Sequence, residues 1–305
     1  MGMANLVPGI SGGTMLLAAG IYPRFIGAIA DLSRFRFRIR SLLVLACVIG
    51  SAGVAIVLLA GTLKNLVVDH RWMMYSVFIG LTLGGLPVVW RLARPASKTL
   101  MVGAVVGFVS MVALAVLQAM GVVGGNGSNA LMLFVAGLAG ASAMILPGIS
   151  GGYLLLLLGQ YVPILAGIDE FKSALESRDI GAAMEPALSV ILPVGLGVVT
   201  GVAAVGNLLQ WLLLHHRKAT LGFLIGLLVG STVGLWPFQR SVPPHVGDTI
   251  KGQVVTQATI SEIEPDDWAT DYFRPQWSQV VASLGLIAVG FGVTMGIARI
   301  GGDEE

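Results

Sequence analysis

The chain has 305 residues, 55% of them hydrophobic and only 11% charged, with a formal net charge of +2, whereas an average soluble domain is about 25% charged. That balance excludes a water-soluble enzyme and a nucleic-acid-binding protein and identifies an integral membrane protein. Its single cysteine, Cys47, sits in an apolar run, so no intrachain disulfide forms and the thiol is expected in the core.

Glycine fills 42 positions, roughly twice the usual share, as expected where helix backbones approach closely in a membrane. Gly80 and Gly84, Gly103 and Gly107, Gly197 and Gly201, Gly226 and Gly230, and Gly292 and Gly296 are spaced for such contacts. No basic segment precedes the first apolar stretch, so a cleavable signal peptide is not expected.

In chain order, the first notable stretch is "NLVPGISGGT" at 5–14, and its hexapeptide returns in "MILPGISGGY" at 144–153. A proline and three glycines in six positions do not fit a helix interior. Apolar runs at 41–63, 72–90, 99–120, 188–214, 219–236 and 279–298 contain no Asp, Glu, Lys or Arg. Each is of the ~20-residue length that spans a bilayer, and all six are read as crossings. The arms 130–146 and 150–168 flank the second PGISGG. Each PGISGG region reads as a re-entrant hairpin with the motif at its tip, because broken backbone at membrane depth needs cover from protein or a wet cavity. Two full crossings joined by an outside turn is the rival reading, and it leaves the parity unchanged.

Short cytoplasmic segments are rich in Lys and Arg. With 24–40 inside, the segment carrying Arg91, Arg94 and Lys98 also falls inside, as do Arg217, Lys218 and Arg299. Short inside segments then hold eleven Lys or Arg against four outside: Lys64, Arg71, Lys172 and Arg178. The glycine-rich link 121–129, the acidic segment 169–185 and the long segment 237–278 fall outside, and both termini are expected in the cytoplasm.

A shift of 139 carries Gly20 to Gly159 and Tyr22 to Tyr161. A shift of 146 carries His70-Arg71 to His216-Arg217, Gly80 to Gly226, Gly84 to Gly230 and Trp90 to Trp236. The chain therefore reads as two repeats, 1–120 and 130–305, joined by the link 121–129, with 237–278 an insertion in the second. Each repeat has one hairpin and three crossings, an odd number, so the second is inverted. The expected fold is an all-α integral membrane protein with an inverted-topology repeat, each half one re-entrant helical hairpin plus three transmembrane helices, the plan of secondary transporters.

Inverted copies aim two tips at the membrane middle. Ser11, Gly12, Gly13 and Thr14 begin one helix after Pro8-Gly9, and Ser150, Gly151, Gly152 and Tyr153 begin another after Pro147-Gly148. The first N–H groups of a helix lack intrahelical partners and carry the positive end of its dipole, so such ends bind phosphate. Ser11 and Ser150 are candidate N-caps and hydroxyl donors. The copies differ at Thr14 and Tyr153, at Asn5 and Met144, and at Arg24 and Pro163, which makes an asymmetric site for a substrate with a head and a tail.

The stretches "VPGISGGTMLLAAGIYPRFI", "LPGISGGYLLLLLGQYVPIL" and "IGLLVGSTVGLWPF" resemble the signature of the bacterial and archaeal polyprenyl-phosphate (undecaprenyl phosphate) transporters, long classed as a domain of unknown function. The resemblance covers essentially the whole transmembrane chain. Only seven residues precede Pro8, where similar proteins have a fuller helix. It implies a multi-pass protein of the bacterial cytoplasmic membrane that moves undecaprenyl phosphate, the carrier lipid of cell-wall synthesis, from the outer to the inner leaflet. No cofactor is expected; H⁺ or Na⁺ remains open as a coupling ion.

Around the tips, Tyr22 and Tyr161 are candidates to orient the headgroup. Arg24 is either a phosphate contact or a positive-inside anchor. The run "RFRFRIR" at 34–40 alternates basic and apolar side chains, suited to an anionic lipid surface. Asn207 and Gln210 lie in an uncharged crossing and need partners; His215 and His216 read as solvated. The segment 237–278 is expected to be an ordered external cap with "QVVTQATI" strand-like. A small-anion channel or exchanger is the alternative function, although no carboxylate lies at membrane depth. An enzyme is not expected, since no metal-binding or lipid-phosphatase histidine spacing occurs.

Overall fold

Hydrocarbon offers no partners for backbone N–H and C=O groups, so a spanning segment must satisfy them internally, as an α-helix does. In a computed structural model, which describes residues 12–13, 16, 20–120, 129–147, 149, 151–250, 253–257 and 269–302, the apolar runs are helical. The first half contains α1 (Tyr22–Ser33), α2 (Ile39–Asp69), α3 (Arg71–Gly84), α4 (Leu86–Ala93) and α5 (Lys98–Ala119). The second contains α6 (Ala130–Ile145), α7 (Gly151–Leu157), α8 (Tyr161–Glu176), α9 (Ile180–Pro186), a π-helical turn at Ala187–Ile191, α10 (Leu192–His215), α11 (Arg217–Gly234) and α12 (Trp277–Gly302).

Among the described residues four helical stretches are long and apolar enough to cross a membrane: Arg71–Ala93, Lys98–Leu117, Ile180–His215 and Trp277–Arg299. The expected crossing at 41–63 lies within α2, and that at 219–236 corresponds to α11, a core helix of 18 residues. The acidic segment 169–185, expected outside, is largely helical. Asp179 caps α9 by accepting the Ala182 N–H at 3.0 Å. Pro186 then removes one helical donor, and the chain widens into the π turn before α10 continues.

Three helix pairs dominate the packing: α5 with α11, α3 with α12, and α6 with α10. The first two are copies of one contact. A methyl group on Gly226 would overlap the Ala104 carbonyl and the Phe108 N–H; on Gly80 it would overlap the Ile287 carbonyl and the Phe291 N–H. Gly230 meets Met111 as Gly84 meets Thr294, and Gly107 meets Phe223 and Leu227 as Gly290 meets Val77 and Leu81. One offset of 146, from α3 to α11, and one of 183, from α5 to α12, account for every match. The same offsets relate the buried hydrogen bond between Ser76 and Ser283, 2.8 Å long, to the close approach of Gly222 to the Leu100 carbonyl.

Although equivalent, α3 and α11 run antiparallel. The start of α11 shares a cavity with the end of α4, while Leu235, just past the end of α11, packs on Tyr75, Phe78 and Ile79 of α3. The junctions also match: His70 (φ −126°, ψ 43°) separates α2 from α3, and His216 (φ −128°, ψ 41°) separates α10 from α11. Elsewhere the halves differ by a turn. Helix α1 has 12 residues and α8 has 16, and each is closed by a non-glycine residue at positive φ, Phe35 (57°) and Arg178 (59°).

The core beneath the pairs collects Phe25, Ile26, Ile29, Leu209, Leu224 and Leu228. Asn207 makes an interhelical bond, donating from Nδ2 to Ser33 Oγ at 2.6 Å, and thereby joins α10 to α1. After α11, β1 (Gln239–Val242) pairs antiparallel with β4 (Ala269–Tyr272), and β2 (Thr249–Ile250) with β3 (Gln253–Val254). Of the "QVVTQATI" stretch, Gln253 and Val254 form the strand, and 258–260 lie outside the described residues. Phe238 stacks edge-on against both Trp236 and Phe273 where the ribbon meets α11.

Two expectations are corrected. Cys47 is exposed on α2 rather than buried; on a spanning helix a thiol facing lipid is as well solvated as one facing core. Gly292 and Gly296 have no atom within 4 Å of an added methyl group, so this one of the five glycine pairs does not pack among the described residues. Accordingly, Gly226→Leu should destabilise the protein by about 3 kcal/mol through overpacking, and Gly292→Leu by no more than about 0.5 kcal/mol. Thermal unfolding in detergent measures both.

Candidate functional site

The second PGISGG is shaped by its proline. Leu146, directly before Pro147, is extended (φ −72°, ψ 129°) and ends α6, because a residue preceding proline is pushed out of the helical region. Pro147 is fully buried, and α7 starts at Gly151. Helix α7 has only seven residues. The arm 150–168, expected as one helix, is therefore α7, a turn at 158–160, and the start of α8.

That turn recurs in the first half of the chain. Gly159 has φ +69° and Gly20 has φ +74°, a left-handed conformation that glycine adopts without a Cβ clash. The Gln160 N–H bonds the Leu155 carbonyl at 2.9 Å, and the Ile21 N–H bonds that of Leu16 at 3.1 Å. The shift of 139 relates every one of these groups. Helix α8 then begins at Tyr161 and α1 at Tyr22.

The two motif regions meet. Gly12 and Gly13 are helical and buried, and a methyl group on Gly13 would overlap the carbonyl oxygen of Ile145 and lie 3.4 Å from the carbonyl carbon of Leu146. Ile145 is the last residue of α6, so its carbonyl has no partner within the helix. Tyr22 supplies one: its buried hydroxyl donates to the Ile145 oxygen at 3.2 Å, across 123 positions of sequence. On the other side, an added methyl group on Gly151 would lie 2.8 Å from the Gly140 carbonyl oxygen, and one on Gly152 would lie 3.9 Å from the Tyr161 ring.

The structure thus gathers Gly12, Gly13 and Tyr22 at the entry to the second motif, and Gly151, Gly152 and Tyr161 at its exit. Arg24 is exposed on α1, away from the buried face formed by Tyr22, Phe25 and Ile26. Ser11, Thr14 and Ser150 lie outside the described residues; Tyr153 belongs to α7. At a helix start the first N–H groups have no partner within the helix itself, and glycine there lets another group approach the backbone closely. Among the described residues no group of three His, Cys, Asp or Glu is placed to hold a metal ion.

Two contributors escaped the sequence reading. The Ile145 carbonyl is backbone and leaves no trace in residue type. Gln160, fully buried at the α7–α8 turn with Nε2 3.3 Å from the Leu158 carbonyl, did leave one: the second copy writes Gly-Gln-Tyr where the first has Gly-Ile-Tyr.

Comparison with known proteins agrees with the family resemblance. Residues 1–249 match a family described as undecaprenyl phosphate translocase-like. A polyprenyl-phosphate transporter of Vibrio cholerae serotype O1 is 26% identical over 314 aligned residues, covering 98% of this chain and 93% of the relative. A polyprenyl-phosphate transporter of Staphylococcus aureus is 29% identical over 249 residues, covering 78% and 83%. No solved structure matches significantly.

Removing the Tyr22 hydroxyl leaves a buried carbonyl without its donor. Tyr22→Phe is expected to cost about 1–3 kcal/mol of stability, read as a lowered unfolding midpoint of the purified protein.

Proposed function

We propose that this chain, which belongs to the undecaprenyl phosphate translocase-like family, carries undecaprenyl phosphate from the outer to the inner leaflet of the bacterial cytoplasmic membrane, returning the lipid for envelope synthesis. The observation that carries this reading is the meeting of the two motif regions, Gly13 and Tyr22 against Ile145. A phosphate dianion cannot enter hydrocarbon unless its oxygens are hydrogen-bonded. In this reading the N–H groups at Gly12, Gly13, Gly151 and Gly152 and the hydroxyls of Ser11, Thr14 and Ser150 replace its water. Tyr22, Tyr153 and Tyr161 orient the head, and Arg24 meets it near the cytoplasmic surface. The polyprenyl tail stays in lipid, between helices.

The two halves then act as an inverted repeat whose relative rocking opens the site to each side in turn. Support comes from the antiparallel course of α3 and α11 and from the paired glycine contacts that share the offsets 146 and 183. The cationic ends at Arg91, Arg94, Arg217 and Lys218 come together, as they do if both face the cytoplasm. The relatives named polyprenyl-phosphate transporters support the substrate class. The work is binding and translocation, without bond cleavage and without a cofactor; H⁺ or Na⁺ is the candidate coupling ion.

The test is leaflet exchange of undecaprenyl phosphate in proteoliposomes. Intact protein should accelerate exchange, and Ser11→Ala/Ser150→Ala should slow it at least ~10-fold, the worth of one or two lost hydrogen bonds to a charged group. Gly12→Leu and Gly151→Leu should abolish it while the protein still inserts. Normal exchange in both leucine variants overturns the tip site, and chloride or free phosphate flux without lipid exchange selects a small-anion carrier instead.

A further inference from the structure

A second cationic feature lies away from the motifs. Arg91, Leu92, Ala93 and Arg94, at the end of α4, and Arg217 and Lys218, at the start of α11, line a cavity of about 440 Å³, within the range of small-molecule sites. Four cations border it and no carboxylate does. Among the described residues none of the four forms an ion pair; Arg91 makes one long bond, from Nε to the Pro87 carbonyl at 3.4 Å. The first turn of α11 contains no acidic residue, so its free N–H groups add to the positive potential.

The opposite end of the repeat shows what such a place requires. The offset of 146 carries Arg94 to Arg240 and takes Arg217 back to Arg71. There the ribbon supplies a carboxylate: Asp271 on β4 lies 3.3 Å from Arg240 Nη2. Arg71 is buried at the start of α3. At the α4–α11 end no ribbon and no acid among the described residues occupy the corresponding position.

We propose that the α4–α11 cavity is a second anion site, separate from the PGISGG tips, that holds a phosphate-bearing group with at least two negative charges in the place that Asp271 takes at the other end. Basic pockets between the ends of membrane helices suit anionic lipid headgroups that carry two phosphates, and soluble pyrophosphate likewise offers two phosphoryl groups. Guanidinium forks match phosphate oxygens in pairs, which favours such a group over a halide.

The experiment uses the full chain in phosphatidylcholine nanodiscs, with two probes: a few per cent of cardiolipin in the disc, or inorganic pyrophosphate in the buffer. Native mass spectrometry counts the bound anion, and the unfolding midpoint reports its affinity. Retention of cardiolipin alone identifies a lipid site, and retention of pyrophosphate identifies a site for the headgroup chemistry from either source; both support the proposal if Arg94→Gln/Arg217→Gln/Lys218→Gln lowers affinity about a hundredfold. Lys218→Gln alone, a mild change at an exposed side chain, should lower it about fivefold. Arg34→Gln/Arg36→Gln, on the exposed α1–α2 segment, should change it less than about twofold. Equal losses in the cavity and segment variants, or retention of neither probe, overturn the proposal.

Discussion

Backbone that leaves the helical path within a membrane must find its hydrogen bonds elsewhere. In this chain Pro147 forces that departure and the other half of the protein supplies the remedy. The end of α6 presents the Ile145 carbonyl, and Tyr22, from the first repeat, donates to it. Gly13 lets the first motif come close enough for the two backbones to touch. The break at Pro147 is thus covered by the first half of the chain, through Gly13 and Tyr22.

Glycine sets the remainder of the architecture by the same logic of approach. In the α5–α11 and α3–α12 pairs, carbonyl oxygens occupy the space where side chains would stand, and close contact replaces the hydrophobic driving force that lipid removes. Each pair joins one helix from the first half of the chain to one from the second, so the contact that holds the halves together is built twice.

Much of this was legible in the sequence, and the reasons differ by residue. The offsets 139 and 146 were visible because Gly20, Gly159, His70, His216, Gly80 and Gly226 are held by backbone geometry or close contact, which constrains residue identity. The break at Gly159 was passed over because an unbroken apolar run looks like one helix; only Gly-Gln-Tyr marked it. Gly292 and Gly296 show the reverse error, since spacing alone does not reveal whether a neighbour is present. Cys47 misled because in a bilayer apolar character does not separate core from surface. The Ser76–Ser283 bond and the Asn207–Ser33 bond depend on tertiary placement across 207 and 174 positions, and no local pattern encodes them.

The unequal lengths of α1 and α8, 12 residues against 16, bear on energetics. Halves related by perfect symmetry would give two mirrored conformations of equal free energy, and only an outside gradient would choose between them. An added helical turn of roughly 6 Å, present in one half alone, lifts that degeneracy. If the halves rock as proposed, the protein has one favoured resting conformation, which changes the rates of its two half-steps while the gradients alone decide the direction of net movement.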